Sequence, residues 1–154
     1  MRIVLNEKNF DINNALIGVK STNNVMQEKN SNFYKMYYSD EFHTTYGISI
    51  LFELSNIKTI IHYDKFKCVF SDSSNKYILN KLCTIEKKIL NKFSHLNKQT
   101  NFKILEQIKN NYIKTFYDKK QKPSTHKKIK FILKISGIWE TTYEYGLTFK
   151  FIMV

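Results

Sequence analysis

Apolar and polar positions alternate with a period of two through much of this chain. Tyr46, Ile48, Ile50, Phe52 and Leu54 alternate with Gly47, Ser49, Leu51 and Glu53, which predicts a half-buried strand. Ser55–Asn56 reads as a turn. Ile57, Thr59, Ile61 and Tyr63 resume the alternation, and Phe66, Cys68 and Phe70 continue it against Lys65 and Lys67. Residues 57–70 are then one long strand, or two short ones broken near Asp64. Upstream, Ala15–Lys20 is a short apolar run and Phe33–Tyr38 is aromatic and strand-like.

The period changes after Ser71-Asp72-Ser73-Ser74, a run of helix N-cap candidates. Ile78, Leu82, Ile85, Ile89, Phe93 and Leu96 recur at steps of three or four, the spacing of an amphipathic helix of about five turns. Lys81, Lys87, Lys88 and Lys92 fall largely off that stripe. A short second helix is expected over about 101–110, then a strand over 112–117. Residues 118–128 read as a charged loop around Pro123, the only proline. The chain closes on a predicted β-hairpin. Phe131, Leu133 and Ile135 alternate with Lys130 and Lys134, and Leu147, Phe149, Phe151 and Met153 alternate with Thr148 and Lys150.

The length of 154 residues, with 42% hydrophobic and 15% aromatic residues, is enough for a single domain over 1–154 with one core. Cys68 and Cys83 match no zinc or redox spacing and read as small buried hydrophobes. No signal-peptide pattern and no apolar run of membrane-spanning length is present, so an intracellular, reducing compartment is expected and membrane binding is not. The net charge of +12 comes from 25 Lys and Arg against 13 Asp and Glu. Composition drift toward lysine and asparagine would enrich glutamate as well, so the imbalance points to a polyanionic partner.

Strands, a helical segment, one strand and a closing hairpin make an α+β, mainly β, chain. The order fits an OB-like small β-barrel with a helical insertion at about residues 75–110 before the last strands. On that reading the helix follows the third core strand and the lysine-rich segment joins strands four and five, where such a barrel binds oligonucleotides. That segment holds five lysines in ten residues, Lys119, Lys120, Lys122, Lys127 and Lys128. Lys130, Lys134 and Lys150 extend the positive row. A hairpin register centred on Thr142 puts Lys134 opposite Lys150, a repulsion that a phosphate would relieve. Tyr34, Tyr46, Trp139 and Tyr143 are candidates for base stacking. Trp139 shares its odd parity with Leu133 and Ile135, which favours the core instead. Lys58, Lys65 and Lys67 line the mixed face of the middle strands.

Catalytic signatures are missing. The four histidines form no metal-ligand grouping, and four glycines are too few for a phosphate cradle. Glu140 and Glu144 are candidates to face each other at the hairpin tip, where solvation is the usual role for such a pair. No catalytic residue, metal or cofactor is assigned, and an enzyme is not expected.

The segment Leu133-Lys134-Ile135-Ser136-Gly137-Ile138-Trp139-Glu140, followed by Tyr145-Gly146-Leu147-Thr148-Phe149-Lys150-Phe151, is similar to the closing hairpin of OB-fold single-stranded DNA-binding proteins of large double-stranded DNA viruses. The resemblance covers about twenty residues. It implies an accessory of viral DNA replication or recombination in the nucleus or cytoplasm of an infected cell. Some such proteins end in an acidic tail that recruits partners; no acidic residue follows Glu144 here, so tail-mediated recruitment is not expected. The expectation is a sequence-tolerant single-stranded DNA-binding domain that tracks phosphates with lysines and stacks bases on aromatics. An RNA-binding module and a structural or host-interaction protein that meets an acidic partner are the alternatives. Self-association along a strand is left open.

Overall fold

The computed structural model describes residues 3–22, 31–71, 73–116, 120 and 122–154. Its strands are β1 (Leu5–Asn6), β2 (Ala15–Thr22), β3 (Asn32–Ser39), β4 (Thr44–Tyr46), β5 (Ile48–His62), β6 (Lys65–Phe70), β7 (Gln99–Asn101), β8 (Tyr112–Phe116), β9 (Thr125–Glu140) and β10 (Glu144–Met153). Two α-helices, α1 (Lys76–Asn91) and α2 (Lys103–Lys109), lie between β6 and β8. Strands β5, β6, β8, β10 and β9 pair in that order, and β9 returns to β5. Numbered along the chain, this is a closed 1-2-3-5-4-1 path with strands three and five parallel. The protein is α+β, mainly β, built on an OB-like barrel with a helical insertion.

The insertion sits one strand earlier than the periodicity suggests. Residues 48–62 form one strand, not two joined by a turn, so the helices follow the second barrel strand. The lysine-rich segment accordingly joins strands three and four, and its second half is β9 itself. Asn56 explains the misreading. It holds a positive φ of 55° inside β5, a conformation asparagine tolerates well. Inward positions change there from Ile48, Ile50, Phe52 and Leu54 to Ile57 and Thr59. Beside this irregularity, buried Asn75 accepts the Ser55 N–H at 2.8 Å and donates to the Ser55 carbonyl at 2.8 Å. Asn75 is thereby committed to β5, and α1 begins without a side-chain cap.

The core fills the barrel and the space beneath α1. Phe52 stacks on Phe131 at 5.6 Å and meets Phe151 edge-on at 6.0 Å. Helix α1 buries Leu82, Ile85 and Ile89 of the stripe its spacing predicts, together with Leu79 and Leu90; it ends at Asn91, so Phe93 and Leu96 of that stripe follow it, Leu96 in a 3-10 turn. Its Glu86 is fully buried and accepts the backbone N–H groups of Ile104 and Leu105 at 2.8 and 3.0 Å. It thus caps the first turn of α2, which has no cap of its own. Burial pushes the Glu86 carboxyl above its ordinary value. Both cysteines are free and buried; burial raises the Cys68 thiol to about 11. Among the described residues, no helix is long and apolar enough to cross a membrane.

Replacing Asn75 by Ala leaves the Ser55 N–H and carbonyl without their partner in a buried setting. We expect a loss of roughly 1–3 kcal/mol, read as a lowered urea midpoint with an unchanged m-value.

Candidate nucleic-acid interface

Strands β6 and β8 turn Phe66, Cys68, Phe70, Ile113 and Thr115 inward. The alternate positions therefore face out: Lys65, Lys67 and Val69 on β6, and Tyr112, Lys114 and Phe116 on β8. The register sets Lys65 opposite Phe116, Lys67 opposite Lys114 and Val69 opposite Tyr112. Ammonium groups and rings interleave as a result. Lys67 Nζ lies 4.3 Å from the Tyr112 ring centre and Lys114 Nζ 5.8 Å from it. Lys65 and Lys150 share the Phe116 ring at 6.0 and 5.4 Å. Phe116 is 59% exposed. On the other flank, Lys58, Ile60 and His62 of β5 pair with β6 and are all exposed. Tyr63, 88% exposed, and Asp64 form the β5–β6 turn at the edge of this face.

A second patch adjoins the first. The Thr142-centred register holds over the lower half of the hairpin and places Lys134 directly opposite Lys150. Lys134 lines a groove of about 230 Å³ with Phe33, Lys35 and Tyr46. Tyr46 is 81% exposed; its ring lies 5.2 Å from that of Tyr37 and under Lys35 at 5.9 Å. Lysines and rings therefore continue from β6 across β8, β10 and β9 to β4.

The lysine-rich segment lies elsewhere. Lys119 is outside the described residues. Lys120, Lys122 and Lys127 are exposed, and Lys128 and Lys130 stand on β9, paired with Ser55 and Glu53 of β5. Lys122, Lys128 and Lys130 rim a cavity of about 520 Å³ over Thr59, Phe66 and Met153. Glu53 lies among them, 4.0 Å from Lys128.

The aromatic candidates separate. Tyr143 is 81% exposed at the hairpin tip. Tyr34 leaves the stacking set: it points inward, meets Phe93 edge-on at 4.9 Å and donates to Glu140 at 3.1 Å. Burial, then that hydrogen bond, raises its phenol above the ordinary value. Trp139 leaves the core side. A register shift at Thr148/Phe149 reverses the parity of β9, so Ile138 and Glu140 point inward and Trp139 is half-buried on the outer side. Glu140 does not face Glu144. It accepts from Lys98 at 2.8 Å, Asn32 at 3.0 Å and Tyr34, tying β3 and the segment before β7 to the hairpin. Burial pushes its carboxyl up, but these three donors together hold it below its ordinary value. No cluster of three or more metal-ligating side chains occurs among the described residues.

Sequence reading missed Tyr112, Lys114 and Phe116. Their Tyr-x-Lys-x-Phe alternation around inward Ile113 and Thr115 was the available signal.

Two expectations follow. Because the folded-state value of Glu140 is depressed, its stabilising contribution is present above the ordinary glutamate value of 4.5 and is lost as pH falls through the lower folded value. The stability difference between the wild type and Glu140→Gln should therefore be constant near neutrality and shrink on acidification below that point, measured by urea unfolding at each pH. A Cβ on Gly146 would lie 2.7 Å from the Trp139 ring and 2.9 Å from the Asn101 carbonyl. Gly146→Ala should cost roughly 1–3 kcal/mol and, by displacing the sole tryptophan, shift its fluorescence emission to the red.

No family model matches this chain, and neither a curated protein nor a solved structure is significantly similar to it.

Proposed function

We propose that this protein binds single-stranded DNA, with little regard to sequence, across the outer face of β6 and β8 and onward over Lys150 and Lys134. One observation carries the reading: lysines and exposed rings alternate over neighbouring strands, so that phosphates and bases of one strand find partners in turn. Lysine neutralises phosphate by releasing counterions, and any base can stack on a ring. Two features add support. In OB-like barrels, strands two and three with the loops after strands one and four are the usual oligonucleotide surface; here those loops carry Tyr63 and Tyr143. A duplex hides its base faces, so a ring-bearing face favours a single strand. The hairpin's resemblance to viral single-stranded DNA-binding proteins favours DNA over RNA, and a replication or recombination role.

The test is fluorescence anisotropy of an internally labelled dT oligonucleotide at several salt concentrations. Affinity should fall with salt at a log–log slope of about −0.7 per phosphate neutralised, and matched duplex should compete poorly. Phe116→Ala should weaken binding by roughly 1–3 kcal/mol. Lys67→Ala and Lys114→Ala should each flatten the slope by about one phosphate's worth, whereas Lys122→Ala should change it less. Failure to bind at low salt overturns the proposal and directs attention to an acidic protein partner. Stronger competition by matched RNA identifies an RNA-binding module instead.

A further inference from the structure

Among the described residues, strands β8 and β10 are joined by one pairing, Thr115 with Phe151. Beside that seam is a cleft of about 160 Å³. Lys65, Lys114 and Lys150 reach it from three different strands, joined by Gln107 from α2 and by Phe116. Its floor includes Thr115 and Phe151, 2% and 1% exposed. Among the described residues, no carboxylate lines it. The Gln107 side-chain oxygen accepts the Lys114 backbone N–H at 2.9 Å, which fixes the carboxamide and leaves its NH2 group to donate. Three lysines line one small cleft, and an anion with several acceptor oxygens would offset the repulsion among their charges.

Size and charge narrow the anion. The cleft is well below the roughly 300–1,000 Å³ of sites that enclose whole small molecules, so it suits a phosphate group rather than a nucleoside. An internal phosphodiester brings one negative charge and two free oxygens, and needs room for the chain on both sides. A terminal phosphomonoester brings a charge of about −1.5 to −2 at neutral pH and three acceptor oxygens, and leaves by one side only. Phe116, exposed at the mouth, is placed to stack the adjoining base.

We propose that this cleft binds the terminal phosphate of a nucleic-acid strand, so that the protein engages phosphorylated ends in preference to hydroxyl ends. The inference rests on the single-strand reading and adds an end preference to it. It is tested on the full chain with dT 12-mers carrying an internal label and a 5′-phosphate, a 3′-phosphate or hydroxyls at both ends. One phosphorylated form should bind about ten- to a hundredfold more tightly than the hydroxyl form at pH 7.5, and which one gives the polarity. The advantage should shrink at pH 5, where the monoester loses its second charge. Gln107→Glu retains an acceptor for the Lys114 N–H but puts a carboxylate in the cleft, and should bring the ratio near one.

Equal affinity of the three oligonucleotides at pH 7.5 overturns the end preference and leaves the single-strand reading standing. If none binds, the single-strand reading fails and the end preference with it. Inorganic phosphate then tests the cleft alone. Saturable amide shifts at Gln107 and Lys114 that vanish in Gln107→Glu retain a phosphate site; their absence removes it.

Discussion

Strand β9 is the element on which the rest of the structure depends, because it is paired along both edges with three different strands. One edge takes β10. The other takes β5 up to Ile135 and then β3 from Gly137. The change of partner needs two glycines. Gly47, between β4 and β5, has a φ of +72°, and a side chain there would meet the Ile135 carbonyl at 3.0 Å; a Cβ on Gly137 would come within 2.3 Å of the Tyr34 carbonyl. With this crossing closed, β9 serves the barrel with its first half and the β2–β3 sheet with its second. The buried Glu140 cluster at its end then locks that sheet and the segment before β7 to the barrel.

Two single-residue irregularities decide which side chains face out. Asn56 reverses the facing of β5, and the shift opposite Thr148/Phe149 reverses that of the upper part of β9, while β10 keeps Tyr145, Leu147 and Phe151 inward. Period-two reading finds such strands easily, since Ile48 to Leu54 and Phe131 to Ile135 alternate without interruption. It cannot carry the inward and outward assignment across a bulge, where one residue re-aims every position beyond it. Trp139 read as core side for that reason, and Ser55–Asn56 read as a turn. The middle of the α1 stripe was legible because Leu82, Ile85 and Ile89 lie within one element. The start of α1 was not, because Asn75 is recruited to Ser55, twenty residues away in sequence.

The candidate interface was legible in the same uneven way. Lys58, Lys65, Lys67 and Lys150 sit on strands whose alternation is plain. Their aromatic complement on β8 is separated from β6 by both helices, and no local pattern says that Tyr112 will lie beside Val69 or Phe116 beside Lys65. That adjacency is a property of barrel closure. Charge density along the chain misdirected as well. The 119–128 lysines are dense in sequence, but of those described, Lys128 lies near Glu53 on the β5–β9 side of the barrel. Lysines 65, 67, 114 and 150 are scattered over the sequence and converge in space.

The distribution of acids explains why that convergence carries a field. Glu7 pairs with Lys81, Glu140 with Lys98, Glu106 with Lys103 and Glu53 with Lys128, and Glu86 is spent on the backbone of α2. None of these stands on the outer face of β6 and β8. Four ammoniums so close would weigh against the folded state, yet each lies over a ring of Tyr112 or Phe116. A ring face attracts a cation by roughly 0.5–1 kcal/mol at an exposed site, which offsets part of the repulsion without cancelling the charge. A carboxylate in the same place would stabilise the lysines more and would also repel a phosphate. Rings rather than acids between the lysines therefore keep the face both tolerable to the fold and attractive to a polyanion.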